Sequence, residues 1–138
     1  MKKLITFVVV FVCVLSLCSC GWNSQKAVAT VFSSNVIEVD VTHRSGTETT
    51  NWKIEGAAVR LLREWFKGLD YRYIEIQEGQ NPGAVNGNEV YTFAFTGGEW
   101  TGFSYVINGV RDCYLLNPEG NWFFVVNPTN PPVTEPTK

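Results

Sequence analysis

His43 is the single histidine of the chain, and Cys113 is the only cysteine beyond residue 20. A thiolate beside an imidazole base is the pairing that nucleophilic catalysis needs. Their sequence settings argue against it. His43 runs into Arg44-Ser45-Gly46, a turn signal, and reads as a solvated turn residue. Cys113 lies mid-strand between Asp112 and Tyr114, without a neighbouring cation or helix N-terminus to activate the thiol, and reads as a small buried hydrophobe. Paired carboxylates could hydrolyse a glycosidic bond. The candidates Glu75, Glu78, Glu89 and Glu99 sit at strand ends or turns, where charge is normally solvated, which leaves a hydrolase as the distant alternative. The glycine-rich stretch 79–87 lacks the Gly-Lys-Ser/Thr of a phosphate loop and precedes a strand, not a helix. No His/Cys/Asp cluster has transition-metal spacing, and 86–89 holds too few carboxylates for calcium. The chain is expected to use no catalytic residue, no metal and no cofactor.

A binding chemistry has more material. Trp22, Trp52, Trp65, Trp100 and Trp122 stand with many Phe and Tyr beside Asn-rich turns. Flat rings next to amides suit sugars or peptides, the rings giving apolar contact and the amides orientation. The candidate ligand-binding residues are Trp100, Tyr105, Trp122, Asn86 and Asn88. The competing use of such rings is to fill a small β core. Trp65 reads as core, and Trp100, in the turn 97–100, is the ring expected to be exposed.

The elements that must position these residues follow from periodicity. Residues 36–42 and 47–54 alternate apolar and polar around a turn at 44–46, which predicts a β-hairpin. From 57 to 69 the period changes: Ala58, Leu61, Leu62, Trp65, Phe66 and Leu69 fall on one stripe of an amphipathic helix, with Arg60, Arg63, Glu64 and Lys67 outside it. Gly68 stands where a left-handed C-terminal cap would be. A strand is predicted over 71–77, then a polar, glycine-rich loop over 78–88, too polar to pack. Strands over 89–96, 101–107, 110–116 and 121–126 form an antiparallel meander. Asn108-Gly109 predicts a two-residue type I′ turn, which sets Ile107 opposite Val110, Tyr105 opposite Asp112 and Phe103 opposite Tyr114. A tight 117–120 turn sets Leu115 opposite Trp122. Both faces of this sheet are partly apolar and one helix covers only one, so either the sheet curls closed or an aromatic face stays accessible. The fold class is α+β: a mainly antiparallel sheet with one helix packed on one face.

The two ends differ from the middle. Lys2 and Lys3 precede an uncharged apolar run, the n-region and h-region of a secretory signal. Without residues 1–19, 119 residues remain with 9 basic against 13 acidic side chains, a net charge of −4. Phosphate backbones and anionic lipid heads are poor partners for such a domain, so no nucleic acid is expected. Residues 128–138 are proline-rich and nearly devoid of apolar surface, and read as an extended, largely disordered tail, with a docking motif as the functional alternative. About 100 residues between are enough for one core.

Leu17-Cys18-Ser19-Cys20-Gly21 resembles the lipobox of bacterial lipoproteins. The resemblance implies a signal peptide over 1–19, cleavage before Cys20 and diacylglyceryl modification of its thiol; Cys18 is the rival acceptor, but it would place bulky Leu17 at the −1 position. Two acyl chains give stable attachment. With Cys13 and Cys18 removed and Cys20 lipidated, Cys113 has no partner for an internal disulfide. Residues 20–26 are then a lipidated tether and 27–127 a single domain. The element order and the closing Gly-Asn-Trp-Phe-Phe-Val-Val-Asn run of 120–127 resemble small Gram-positive surface lipoproteins of unknown function. That implies a cell-surface domain on the outer face of the bacterial membrane, without an activity to carry over. The expected role is a non-catalytic ligand-binding or interaction module of the envelope, its partner a glycan, peptide or envelope protein. The alternative is an inhibitor or scaffold of another envelope protein, acting through the sheet face or the 78–88 loop.

Overall fold

The structure is a computed structural model that describes residues 32, 35–98 and 100–136. The signal segment, Cys20 with its tether, and Glu99 lie outside the described residues. Among those described there are seven strands and one α-helix: β1 (Glu38–Ser45), β2 (Glu48–Glu55), α1 (Ala57–Gly68), β3 (Tyr71–Ile74), β4 (Glu89–Thr96), β5 (Gly102–Ile107), β6 (Cys113–Leu116) and β7 (Trp122–Val125). The strands form one sheet in the order β2-β1-β4-β5-β6-β7-β3, antiparallel throughout. This is the α+β architecture expected from the sequence. Because β2 and β3 are consecutive in the chain yet stand at opposite edges, α1 must cross a whole face of the sheet to join them.

Residues directly opposite in antiparallel pairs share a face, so the register sorts every side chain. One face carries Val39 and Phe95, then Val41, Phe93 and Phe103, then the row His43, Tyr91, Tyr105, Leu115 and Phe123, and last Ser45, Glu89, Ile107 and Cys113. This is the face on which α1 lies. Phe66 packs against Phe103 with ring centroids 4.6 Å apart, Trp65 meets Tyr105 edge-on at 5.1 Å, and Phe32 stacks on Phe95 at 4.4 Å. Val59, Leu62 and Phe66 are the buried helix residues. Leu61, expected on the stripe, is 60% exposed: the helix is rotated so that Val59 takes the position next to Leu62 and Phe66.

The C-terminal end of α1 departs from expectation. Gly68 remains helical, and the chain leaves through Leu69 in an extended conformation. The cap comes from far along the chain: Asn127 donates through Nδ2 to the Gly68 carbonyl at 3.0 Å and accepts from the Asp70 amide at 2.6 Å. The left-handed glycine is instead Gly56, at the N-terminal side, with φ 57°.

Two turns shift the predicted registers. The chain between β5 and β6 is not a two-residue turn but spans 108–112, closed by Asn108 N to Asp112 O at 2.9 Å. Ile107 therefore pairs with Cys113, Tyr105 with Leu115 and Val106 with Tyr114. A two-residue turn would have placed Leu115 and Cys113 on the face opposite Tyr105. The longer turn buries both in the core and leaves Val110 94% exposed, so the apolar pattern overrode local turn preference. At 117–121, Asn117 folds its side chain to accept from the amides of Glu119 and Asn121. Leu115 then faces Phe123, not Trp122.

Neither the curled sheet nor a wholly open aromatic face describes the molecule, because segments expected to be loose cover part of each face. The connection from β3 to β4 must cross β7, β6 and β5, and it does so on the face away from α1. Pro82 and Asn88 are buried in it, and Gly83 lies against Trp122, where an added Cβ would meet the indole at 3.6 Å. Arg44 reaches across to donate to Asn88 Oδ1 at 3.1 Å and to the Gly83 carbonyl at 3.4 Å. On the helix face, residues 128–136 form a strap and not a disordered tail. Thr129 accepts from Trp65 Nε1 at 2.8 Å, Pro131 is buried, Val133 packs against the core and Glu135 meets His43 Nδ1 at 2.9 Å. Few apolar side chains suffice for this, because the sheet face beneath is itself apolar and needs cover beyond the width of one helix.

Candidate functional site

The last row of the helix face ends at an opening. Glu89 at the start of β4, Ile107 at the end of β5 and Cys113 at the start of β6 stand side by side in register, where α1 no longer covers them. The 108–112 turn rises on one side and strap residues Pro128, Thr129 and Asn130 on the other. Together with Gly87 and Val110 they enclose a cleft of about 610 Å³. Its walls are mixed: Ile107, Val110 and Pro128 are apolar, while Glu89, Asn108, Thr129 and Asn130 are polar.

The charges converge on His43. Glu89 Oε2 lies 3.4 Å from His43 Nε2, and Glu135 Oε1 lies 2.9 Å from His43 Nδ1. The imidazole stacks on Tyr91, centroids 4.2 Å apart and rings 9° from parallel, and its side chain is only 16% exposed. His43 is thus a strand residue clasped between the cleft wall and the strap, not the solvated turn residue expected; the hairpin turn begins three residues later, at Gly46-Thr47. The signal was present in the alternation, since 39, 41 and 43 are in phase and the first two are core. Burial raises the Tyr91 phenol above its ordinary range, and the charges of Glu89 and Glu135 add to it.

Cys113 is buried at the base of the cleft with its thiol 3.7 Å from the Gly109 carbonyl. Burial pushes that thiol up, with Asp112 adding to the effect and Tyr105 opposing it. His43 stands three strands away, about 14 Å at the ordinary interstrand spacing, so the imidazole does not adjoin the thiol. Two buried polar atoms near the cleft lack a hydrogen bond of ordinary geometry among the described residues, Asn108 Oδ1 and the Tyr105 hydroxyl. The latter sits by Cys113 and the Thr129 backbone, and burial drives its phenol strongly upward. No group of three His, Cys, Asp or Glu side chains among the described residues is placed to hold a metal ion.

The residues selected from sequence do not gather here. Tyr105 is fully buried under Trp65. Trp100, expected to be exposed, is half-buried against the core, beside Phe66, Phe103, Leu115 and Phe123. Trp122 and Asn88 lie on the opposite face, engaged with Gly83, Pro82 and Arg44. Asn86 is exposed next to Gly87, on the rim of the cleft. Among the described candidate carboxylates, Glu75 and Glu78 are exposed on the 75–88 connection and Glu89 enters the cleft; Glu99 lies outside the described residues. Sequence reasoning missed Asn108, taken as a turn residue, and the strap residues, taken as a tail. No protein-family model matches the chain, and no curated protein or solved structure matches it.

Proposed function

We propose that this chain is a lipid-anchored module of the bacterial cell envelope, tethered to the outer face of the membrane through Cys20, that binds a small ligand without catalysis. The anchor rests on the Leu17-Cys18-Ser19-Cys20 motif. The observation that carries the binding role is the cleft bounded by Glu89, Asn108, Cys113 and the strap: it is of ligand size, and it holds a carboxylate and an unpartnered buried amide oxygen. The aromatic residues first considered for this role serve the core and the cover of the second face, so the ligand contacts shift to the cleft.

A thermal-shift screen of the intact chain in detergent against cell-wall fragments, glycans and amino compounds tests the reading. A ligand at 100 times its Kd adds about 2.7 kcal/mol, a midpoint rise of roughly 10 °C for a domain of this size. A blank screen would sink small-ligand binding. For the anchor, Cys20→Ala is expected to release the protein or stall its processing; lipid retained on that variant would move the modification to Cys18.

A protein-binding role has one observation in its favour. On the face away from α1, Arg72 lies over the Phe124 ring at 5.2 Å and Tyr114 meets Phe124 at 5.6 Å, with both rings half-exposed. Crosslinking in intact cells with a photoreactive residue at Tyr114 is expected to capture one discrete partner if this face is an interface, and none otherwise.

A further inference from the structure

Among the described residues that line the cleft, Glu89 alone is charged and none is Lys or Arg. Glu89 Oε2 faces His43, and Oε1 has no partner among the described residues. His43 makes its shorter contact to Glu135 on the strap, 2.9 Å against 3.4 Å, so Glu89 is the less committed of the two carboxylates. Asn108 Oδ1 is buried and unpartnered, an acceptor that lacks a donor. An unpaired buried acceptor is unfavourable, and a carboxylate partly withdrawn from water favours a cation that can donate hydrogen bonds. An anion would meet Glu89 with repulsion. A divalent metal would need more oxygen ligands than this site supplies. The apolar walls, Ile107, Val110 and Pro128, suit the methylene groups that follow an ammonium head.

We propose that the cleft takes a protonated primary amine on a short alkyl or peptidyl chain, its ammonium donating to Glu89 and, as the Asn108 side chain rotates its buried Oδ1 into the cleft, to that oxygen, while its carbons lie along Ile107, Val110 and Pro128. This rests on the cleft being the binding site and adds the chemical class of its ligand. Thr129 and Asn130 close the site from the strap side but carry no charge that would select among ligands.

The test is an NMR titration of the ¹⁵N-labelled intact chain in detergent micelles with n-butylammonium. n-Butanol and butyrate serve as the neutral and anionic counterparts, and the amides of Gly87, Gly109 and Asn130 are followed. The amine is expected to give saturable shifts that neither counterpart reproduces. E89Q is expected to weaken it by at least about tenfold, the loss of a charge-assisted hydrogen bond. E135Q, which alters the other contact of His43 outside the cleft, should leave its Kd within about twofold. If E89Q fails to fold, N108D, which adds a carboxylate at the unpartnered oxygen, should tighten amine binding several-fold. Amine shifts no larger than those of n-butanol, or an affinity unmoved by both E89Q and N108D, would overturn the assignment. Saturation by n-butanol or butyrate alone would overturn it while leaving the cleft a binding site. Silence at these amides with all three probes, together with a blank ligand screen, would remove the cleft itself.

Discussion

Replacing Val133 by Ala separates a docked strap from a free tail. Val133 is half-buried against the core on the helix face, and the change deletes two methyl groups. Each buried methylene-sized group contributes about 0.8 kcal/mol, so at half burial the loss is about 1 kcal/mol. In a domain of about 100 residues that lowers the unfolding midpoint by roughly 4–8 °C. In a disordered tail the same substitution would leave stability within about 0.5 kcal/mol of the parent. Thr129→Val offers an independent measure, because it removes the acceptor of Trp65 Nε1 and a hydrogen bond of this kind is worth about 1 kcal/mol. Glu135→Gln should matter less than either, since its pairing with His43 is half-exposed and such pairs contribute at most about 1 kcal/mol. Urea unfolding followed by circular dichroism, with an unchanged slope on denaturant, gives the three numbers. Midpoints for V133A and T129V both within error of the parent would refute the strap and return residues 128–136 to solvent.

Four further outcomes are expected. Gly102→Ala should destabilise the domain by about 3 kcal/mol or more, because φ is +146° and a Cβ there would overlap the Phe93 carbonyl oxygen; soluble protein of near-parent midpoint would contradict that close approach. Trp100→Ala should lower stability by about 3 kcal/mol, the cost of emptying an aromatic site beside Phe66, Phe103 and Leu115, and a neutral result in thermal melts would return the indole to the surface. Burial pushes the Tyr71 phenol up to about 12. The unfolded chain therefore loses a proton near pH 10 that the folded chain keeps, and stability, unaffected below pH 10, falls by about 1.4 kcal/mol per pH unit from there to about pH 12. Tyr71→Phe should make the alkaline limb of a pH–stability curve shallower, and an unchanged limb would deny the burial. Native Cys113 should react with iodoacetamide at least about tenfold slower than in urea, since thiolate is the reactive form and burial disfavours it; peptide mass spectrometry reads that residue alone, and equal rates would show the thiol exposed.

Local chemistry was legible wherever one short segment carries its own period. The helix over 57–68 shows a 3.6-residue repeat, the first hairpin a two-residue repeat around Gly46, and the strands of the meander lie between glycine and asparagine turns. The α+β class and the antiparallel pairing followed from those alone. His43 was also readable in principle: its phase with Val39 and Val41 puts it on the core face, and a turn signal at 44–46 masked that phase.

What tertiary structure decided lies in contacts between segments far apart in the chain. The turn preference of Asn108-Gly109 is worth little against burying Cys113 and Leu115, so the register moved and five residues formed the loop. The helix ends on Asn127, 59 residues beyond the carbonyl it caps, a partner that no propensity of 57–69 can disclose. The 75–88 connection and the strap look unfoldable in isolation because neither buries apolar surface against itself. Each is held by a sheet face whose exposure only the complete strand order creates, through Arg44 and Trp122 on one side and Trp65 and His43 on the other. The cleft exists for the same reason: Glu89, Asn108 and Asn130 are scattered along the sequence, and they meet only where three strand ends, one displaced turn and the strap converge.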